Sequence, residues 1–335
     1  MTKQNKKNNK SKSLIIFKNY NIIFKKYIKK YKLIYFFLMQ DSLPMFDKRP
    51  KFGNRHLNNE TDVFNHNAWD NVIWDEEFRK DVITKIDANS NEKLPTHRAN
   101  ELEENASVYW NSFYDKHENK FFKDRHWLFT EFSELLPSDS PKTILELGCG
   151  VGNTVFPLLE LDQNKSLFVY CCDFSEKAIK LVKQNHLFDQ NRCHAFTFDL
   201  TDSDWKLLPI AHNSLDIVTL IFVLSAIDPV YHKQIISNIR SYLKPSGRIL
   251  FRDYGYCDLT QVRFKNGHCI KNNFYVRGDG TRAYFFDEFE LDKLFTESGM
   301  SKIDLHVDRR LQINRANKKK MYRIWIQAKY QKKND

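Results

Sequence analysis

Thr143-Ile-Leu-Glu-Leu-Gly-Cys-Gly-Val-Gly152 decides the architecture of this chain. Its first five residues are mainly apolar and partly β-branched, the composition of a short buried strand. Glycines at 148, 150 and 152 follow at once, and Asn153 to Leu161 reads as a short helix. A glycine-rich turn between strand and helix lets the backbone come close to a ligand, and the N–H groups at the helix end offer donors to anionic atoms. The spacing is GxGxG rather than the GxGxxG of dinucleotide binders, which disfavours a dehydrogenase.

Downstream the pattern repeats. Leu167 to Cys172 reads as a second strand with Asp173 at its C-terminal end, 21 residues past Gly152. An acid placed there accepts hydrogen bonds from both hydroxyls of a ribose. Ser175 is the expected N-cap of a helix from Glu176 to Asn185. A third strand, Cys193 to Phe198, ends in Asp199. Leu215 to Leu224 forms a fourth, strongly apolar strand, Val230 to Leu243 a helix, and Arg248 to Arg252 a fifth strand after Lys244-Pro-Ser-Gly247. Alternating strands and helices imply an α/β fold with a parallel, doubly wound sheet. Ligands of such sheets sit at the carboxyl ends of the strands, where Gly148, Asp173, Asp199 and Ile221 fall.

The 335 residues carry a net charge of +11, which invites a nucleic-acid reading until it is located. Residues 1–40 hold eleven lysines and no acid, so the remaining 42 basic and 42 acidic residues cancel. The excess belongs to a basic, low-complexity leader (1–45), read as a disordered extension with Met39 or Met45 as an alternative start. A mitochondrial presequence is the alternative, although such segments favour Arg and this one has none. The leader's longest uncharged run, Leu33 to Gln40, is too short to cross a bilayer. Six cysteines without a CxxC pair argue against a zinc ribbon and a disulfide-stapled secreted domain and fit a reducing, cytoplasmic compartment. Phe64-Asn-His-Asn-Ala-Trp-Asp-Asn-Val-Ile-Trp74 is either a loop packed on a domain or a binding surface. Residues 75–100 read as helix followed by linker, and 101–136 as helical.

Glu146-Leu-Gly-Cys-Gly-Val-Gly152, Asp173 and Asp199 resemble the class I S-adenosylmethionine-dependent methyltransferases. The resemblance implies a Rossmann-like sheet closed by an antiparallel last strand, here Met321 to Tyr330, with S-adenosylmethionine as cofactor. A narrower match runs from about Asp47 to Tyr330. Phe121-Phe-Lys-Asp-Arg-His-Trp-Leu-Phe129, Leu220-Ile-Phe-Val-Leu-Ser-Ala226, Phe251-Arg-Asp-Tyr-Gly255 and Asn273-Phe-Tyr-Val-Arg-Gly-Asp-Gly-Thr-Arg282 are similar to eukaryotic tRNA N3-methylcytidine methyltransferases. That family modifies cytidine 32 in the anticodon loop. Phe64 to Val72 and Val307 to Asn314 resemble its methyltransferase-like protein 2 branch, which acts on threonine and some arginine tRNAs. The resemblance divides the chain into the leader, an RNA-binding and cofactor-lid segment (46–136), and a methyltransferase domain (137–330) with a substrate insertion at about 255–285. By position it implies cofactor contacts from Trp110, Tyr114, Gly148, Gly150, Asp173, Asp199, Leu200 and Ile221, the tRNA anticodon stem-loop as partner, and an accessory protein for tRNA selection.

Trp110 and Tyr114, four residues apart, share one helix face and could cover the cofactor as a lid, although spacing alone favours core aromatics. Cytosine N3 has an in-plane lone pair, so its methylation needs alignment and exclusion of water rather than a general base. Positive charge moves onto the base during attack, which makes Asp253 the candidate for electrostatic assistance, against an internal pair with Arg252 or Arg323. Phe222 and Tyr254 are candidate stacking faces. Arg323, a lone charge in an apolar strand, has either a buried partner or a nucleotide contact. Arg263, Lys265, Lys271, Arg277 and Arg282 form a basic cluster for phosphates, which Trp69, Trp74, Lys51 and Arg55 extend. The rival readings are a methyltransferase of another substrate and a non-catalytic RNA-binding scaffold.

Overall fold

The computed structural model describes residues 55–333. The leader and Lys51 lie outside them. Five strands form the parallel part of the main sheet: β2 (Lys142–Leu147), β3 (Leu167–Asp173), β4 (Cys193–Thr197), β5 (Leu215–Ile221) and β6 (Leu243–Tyr254). A hairpin of β10 (Met300–Asn314) and β11 (Lys319–Lys332) closes it antiparallel to β6. With β1 (Ala68–Asp70) on the edge, the order is β1-β10-β11-β6-β5-β2-β3-β4. The strand order reverses between β2 and β5, and a crevice opens at their carboxyl ends.

The central strands are continuously apolar because both of their faces are covered. On one face Val218, Leu220 and Phe251 pack on Ile235, Ile236 and Ile239 of the helix His232–Tyr242 and on Phe295 of Glu288–Glu297. On the other, Ile144, Ile217 and Leu250 pack on Leu128, Phe132 and Leu135. Val155 and Phe156 of Val155–Leu161 join Ile179 and Val182 of Glu176–Gln184 against β3 and β4. Ser175 caps that last helix as expected, its hydroxyl accepting from the Ala178 N–H at 3.1 Å.

Several expected elements are corrected. The "linker" after the helix Glu76–Ser90 is itself a helix, Thr96–Glu104, which buries Leu102 alone. The helical reading of 101–136 holds for 101–104, for Ala106–His117, which ends at Glu118 with φ 49°, and for Leu128–Glu131; residues 118–127 are a loop. The segment around Trp69 is packed rather than offered to a partner. β1 pairs with β10, Trp69 is buried on Leu311 and Ile313, and its Nε1–H donates to the Val63 carbonyl at 2.8 Å. Trp74 is tied up edge-on against Phe78 and Tyr322. Trp69 is therefore a core residue, and Trp74 is half-buried in an aromatic cluster. Within 255–285 the chain forms a small antiparallel sheet of β7 (Cys269–Lys271), β8 (Phe274–Val276) and β9 (Arg282–Tyr284).

Candidate active site

A cavity of about 490 Å³ lies over the carboxyl ends of β2, β3 and β5, within the usual range for a small-molecule site. The glycine turn forms its floor. Gly148 and Gly150 take φ of 59° and 54°, the left-handed region that favours glycine. A Cβ on Gly148 would sit 2.7 Å from Val223 Cγ2, and one on Gly150 2.7 Å from the Tyr114 hydroxyl. The turn is therefore a cradle that side chains would fill.

Asp173 organises this turn. Its Oδ2 accepts the Gly150 N–H and its Oδ1 the Ser175 N–H, both at 2.9 Å. Burial pushes its carboxyl up to about 6, against the pull of those two donors. Each oxygen keeps a lone pair for a further donor, the chemistry a ribose diol supplies. Tyr114 and Trp110 both line the cavity, with ring centroids 6.0 Å apart. Burial raises the Tyr114 hydroxyl well above its ordinary value, which keeps it protonated. Asp199 and Leu200 line the far side; Asp199 is exposed and its Oδ1 accepts from the Thr201 N–H and hydroxyl. Ile221 departs from expectation. It points away from the cavity into the cluster around Leu128 and Leu250, and the next residue, Phe222, faces the cavity instead.

Phe222 and Tyr254 form the opposite wall, their rings 5.2 Å apart at 52°. Phe222 holds a φ of 60° and donates its N–H to the Arg252 carbonyl at 2.8 Å, so β5 ends one residue before it. Asp253 does not line the cavity; it is fully buried behind this wall. Neither suspected arginine pairs with it. Arg252 is bound to Asp308 and Gln327, each at 2.5 Å, and lies between the Trp127 and Trp325 rings at 4.9 and 5.0 Å. Arg323 lines the cavity, yet its Nε donates to Asp258 at 2.8 Å, which supplies the buried partner.

Arg277 and Arg282 also line the cavity. Arg277 lies 5.8 Å above the Tyr254 ring and donates to the Arg282 carbonyl at 2.9 Å. Arg282 is 5% exposed and ion-paired with Glu103. It fastens the helix Thr96–Glu104 to β9 rather than waiting for phosphate. Lys271 is likewise bound to Asp228. Arg263, Lys265 and Arg277, with Phe264 and His268, instead surround a second, open concavity beside the first. Glu103, Trp127, Ser225 and Trp325 line the main cavity and were not singled out from the sequence. No sequence periodicity marks them. Among the described residues there is no cluster able to hold a metal and no helix long and apolar enough to cross a membrane.

A reversed parallel sheet with an antiparallel β11 beside β6, a glycine turn after β2 and an acid closing β3 define a class I S-adenosylmethionine-dependent methyltransferase. A family profile described as "Methyltransferase domain" matches residues 145–249. The chain is 48% identical over 324 residues to the Xenopus tropicalis tRNA N(3)-cytidine methyltransferase METTL2, covering 86% of this chain and 96% of that one. It is 44% identical over 356 residues to the human METTL2B protein of the same description, covering 85% and 94%. The yeast tRNA(Thr) (cytosine(32)-N(3))-methyltransferase is 44% identical over 283 residues, 83% of this chain and 45% of that longer one. This chain belongs to the tRNA N(3)-cytidine methyltransferase family.

Proposed function

We propose that this protein transfers a methyl group from S-adenosylmethionine to N3 of cytidine 32 in the anticodon loop of tRNA, with threonine tRNAs and some arginine tRNAs as substrates. The observation that carries the reading is identity of 44–48% to relatives of that description over most of the chain, joined to a cavity whose glycine turn adjoins an aromatic wall.

The bound cofactor would supply an activated sulfonium methyl group to N3 of the base. The Gly148–Gly150 turn and Asp173 would hold the nucleoside and methionine parts, with Asp199 and Leu200 beside the adenine. Trp110 and Tyr114 exclude water from above. Phe222 and Tyr254 offer faces to an extruded cytosine, whose ring becomes cationic as the methyl arrives, and an aromatic face stabilises such a cation. No residue needs to remove a proton from N3, so the contribution of the chain is alignment and a dry, polar-walled site.

For the rest of the RNA, Arg263, Lys265 and Arg277 around the second concavity would meet phosphates next to the inserted base, with Phe264 as an adjoining ring. The test is incubation with labelled cofactor and total tRNA, followed by nucleoside analysis, in one arm with purified protein and in another with cell extract to supply an accessory protein. Label in 3-methylcytidine supports the reading. Label in any other nucleoside or in protein, or none in either arm, overturns it.

A further inference from the structure

Three of the cations around the cavity are already neutralised: Arg282 by Glu103, Lys271 by Asp228 and Arg323 by Asp258. Arg263, Lys265 and Arg277 are different, since none of them has an ion-pair partner among the described residues. Arg277 uses only Nη1, which donates to the Thr281 hydroxyl at 3.3 Å and to the Arg282 carbonyl at 2.9 Å, so Nε and Nη2 remain for a ligand. These three side chains stand around the second concavity, of about 340 Å³. Arg277 also borders the main cavity, 5.8 Å above the Tyr254 ring, so an occupant of the concavity adjoins a base held at Tyr254. The rim beside it is open, because a Cβ on Gly278 would meet nothing within 4 Å.

His268 lines the same concavity and brings the opposite chemistry. Its Nδ1 lies 2.9 Å from the Val276 carbonyl, and a carbonyl only accepts, so Nδ1 carries the proton. In the neutral ring Nε2 is then an acceptor. It bonds to no protein atom and is not sealed in the interior, which leaves it free for a ligand. Unneutralised cations beside one acceptor match the sugar–phosphate backbone of RNA. Phosphate oxygens accept, and the cations donate to them. The one donor on that backbone is the ribose 2′-hydroxyl, which DNA lacks. A simple anion would engage the cations and leave Nε2 idle.

We propose that the second concavity holds the sugar–phosphate of a nucleotide adjoining the target cytidine, with its phosphate on Arg263, Lys265 and Arg277 and its 2′-hydroxyl donating to His268 Nε2. His268 is then a specificity-determining contact, the place where the protein tells RNA from DNA. The proposal rests on the tRNA-methylating reading above and adds where the ribose is recognised.

The test pairs a protein change with a substrate change. Threonine tRNAs are assembled by ligation with ribose throughout, or with a single 2′-deoxyribose at the nucleotide on the 5′ side or on the 3′ side of the target. Affinity is measured at pH 8 with S-adenosylhomocysteine bound, for wild type and for His268→Phe, which keeps a ring and removes both nitrogens. Wild type is expected to bind at least one deoxy tRNA about threefold or more weakly than the ribose tRNA, the loss of one hydrogen bond. His268→Phe is expected to bind the ribose tRNA more weakly by a similar factor and to distinguish that pair by less than twofold. A change of sugar pucker is common to both enzymes, so the ratio isolates the contact. If wild type binds all three tRNAs within twofold, or if His268→Phe loses as much as wild type on removal of the 2′-hydroxyl, the proposal is wrong. The wild-type comparison needs no variant, so it overturns the proposal even where His268→Phe does not fold. Failure of wild type to methylate any tRNA would refute the earlier reading and this proposal with it, whereas methylation without a 2′-hydroxyl effect refutes the proposal alone.

Discussion

Replacing Asp173 with Asn probes the centre of the cofactor site with almost no change of shape. In the native protein each carboxylate oxygen accepts one backbone N–H at 2.9 Å and keeps a lone pair for a ribose hydroxyl. Asn retains one carbonyl oxygen and turns an NH2 donor toward either the Gly150 or the Ser175 N–H. That removes one bond to the ribose and sets donor against donor at the turn. With hydrogen bonds to charged groups worth about 1.5–3 kcal/mol and an unsatisfied buried donor about 1–3, the loss is about 3–5 kcal/mol. Calorimetric titration with S-adenosylhomocysteine at pH 8 should therefore show affinity falling by about two to three and a half orders of magnitude. The same site fixes a pH dependence. Ribose hydroxyls donate to the ionised carboxylate, whose titration lies raised at about 6, so a bound proton competes with the ligand. Wild-type affinity should hold from pH 8 to 7 and fall about tenfold by pH 5, one unit below that value. Asp173→Asn should lack this acid limb. A variant within threefold of wild type at pH 8, or a wild type indifferent to pH over this range, would refute the reasoning.

Arg282→Ala and Glu103→Gln cut the same tie between the helix Thr96–Glu104 and β9, so both should lower the melting temperature and the cofactor affinity to similar extents. Loss of tRNA binding by Arg282→Ala without loss of stability would restore Arg282 to the phosphate role that its sequence context suggests. Gly280→Ala combines a φ of 83° with a Cβ only 2.2 Å from the Tyr109 ring, which must move. Differential scanning fluorimetry should show destabilisation by more than about 1 kcal/mol, while Gly278→Ala, with open space around it, stays within about 0.5. Arg263→Glu with Lys265→Glu should weaken tRNA binding and reduce its salt dependence by about one phosphate contact per residue, while leaving S-adenosylhomocysteine affinity unchanged.

The sheet and the cofactor half of the site were legible because their signals are local. A short apolar run, a glycine turn and an acid one strand later each occupy a few consecutive residues, and the parallel β2–β3 pairing brings them together. The substrate half was less so. Ile221 fell at the right strand end, but side chains alternate across a strand, and the left-handed turn at Phe222, costly for a non-glycine residue, moved the cavity position one residue on. The first half of the helix Thr96–Glu104 reads as linker because the helix buries only Leu102 and so lacks an apolar stripe. Arg282 and Asp253 carry charges whose partners are distant in sequence: Glu103 lies 179 residues from Arg282, and Ser225 lies 28 residues from Asp253. Composition flagged both residues as sites and was silent on which way each one faces.

The most direct measurement is a structure of the protein with S-adenosylhomocysteine and a threonine-tRNA anticodon stem-loop. The account predicts nucleoside hydroxyls on Asp173 and a single flipped cytidine against Phe222 and Tyr254, with N3 directed at the cofactor sulfur. A target base bound elsewhere, or one presenting a different edge to the sulfur, would contradict it.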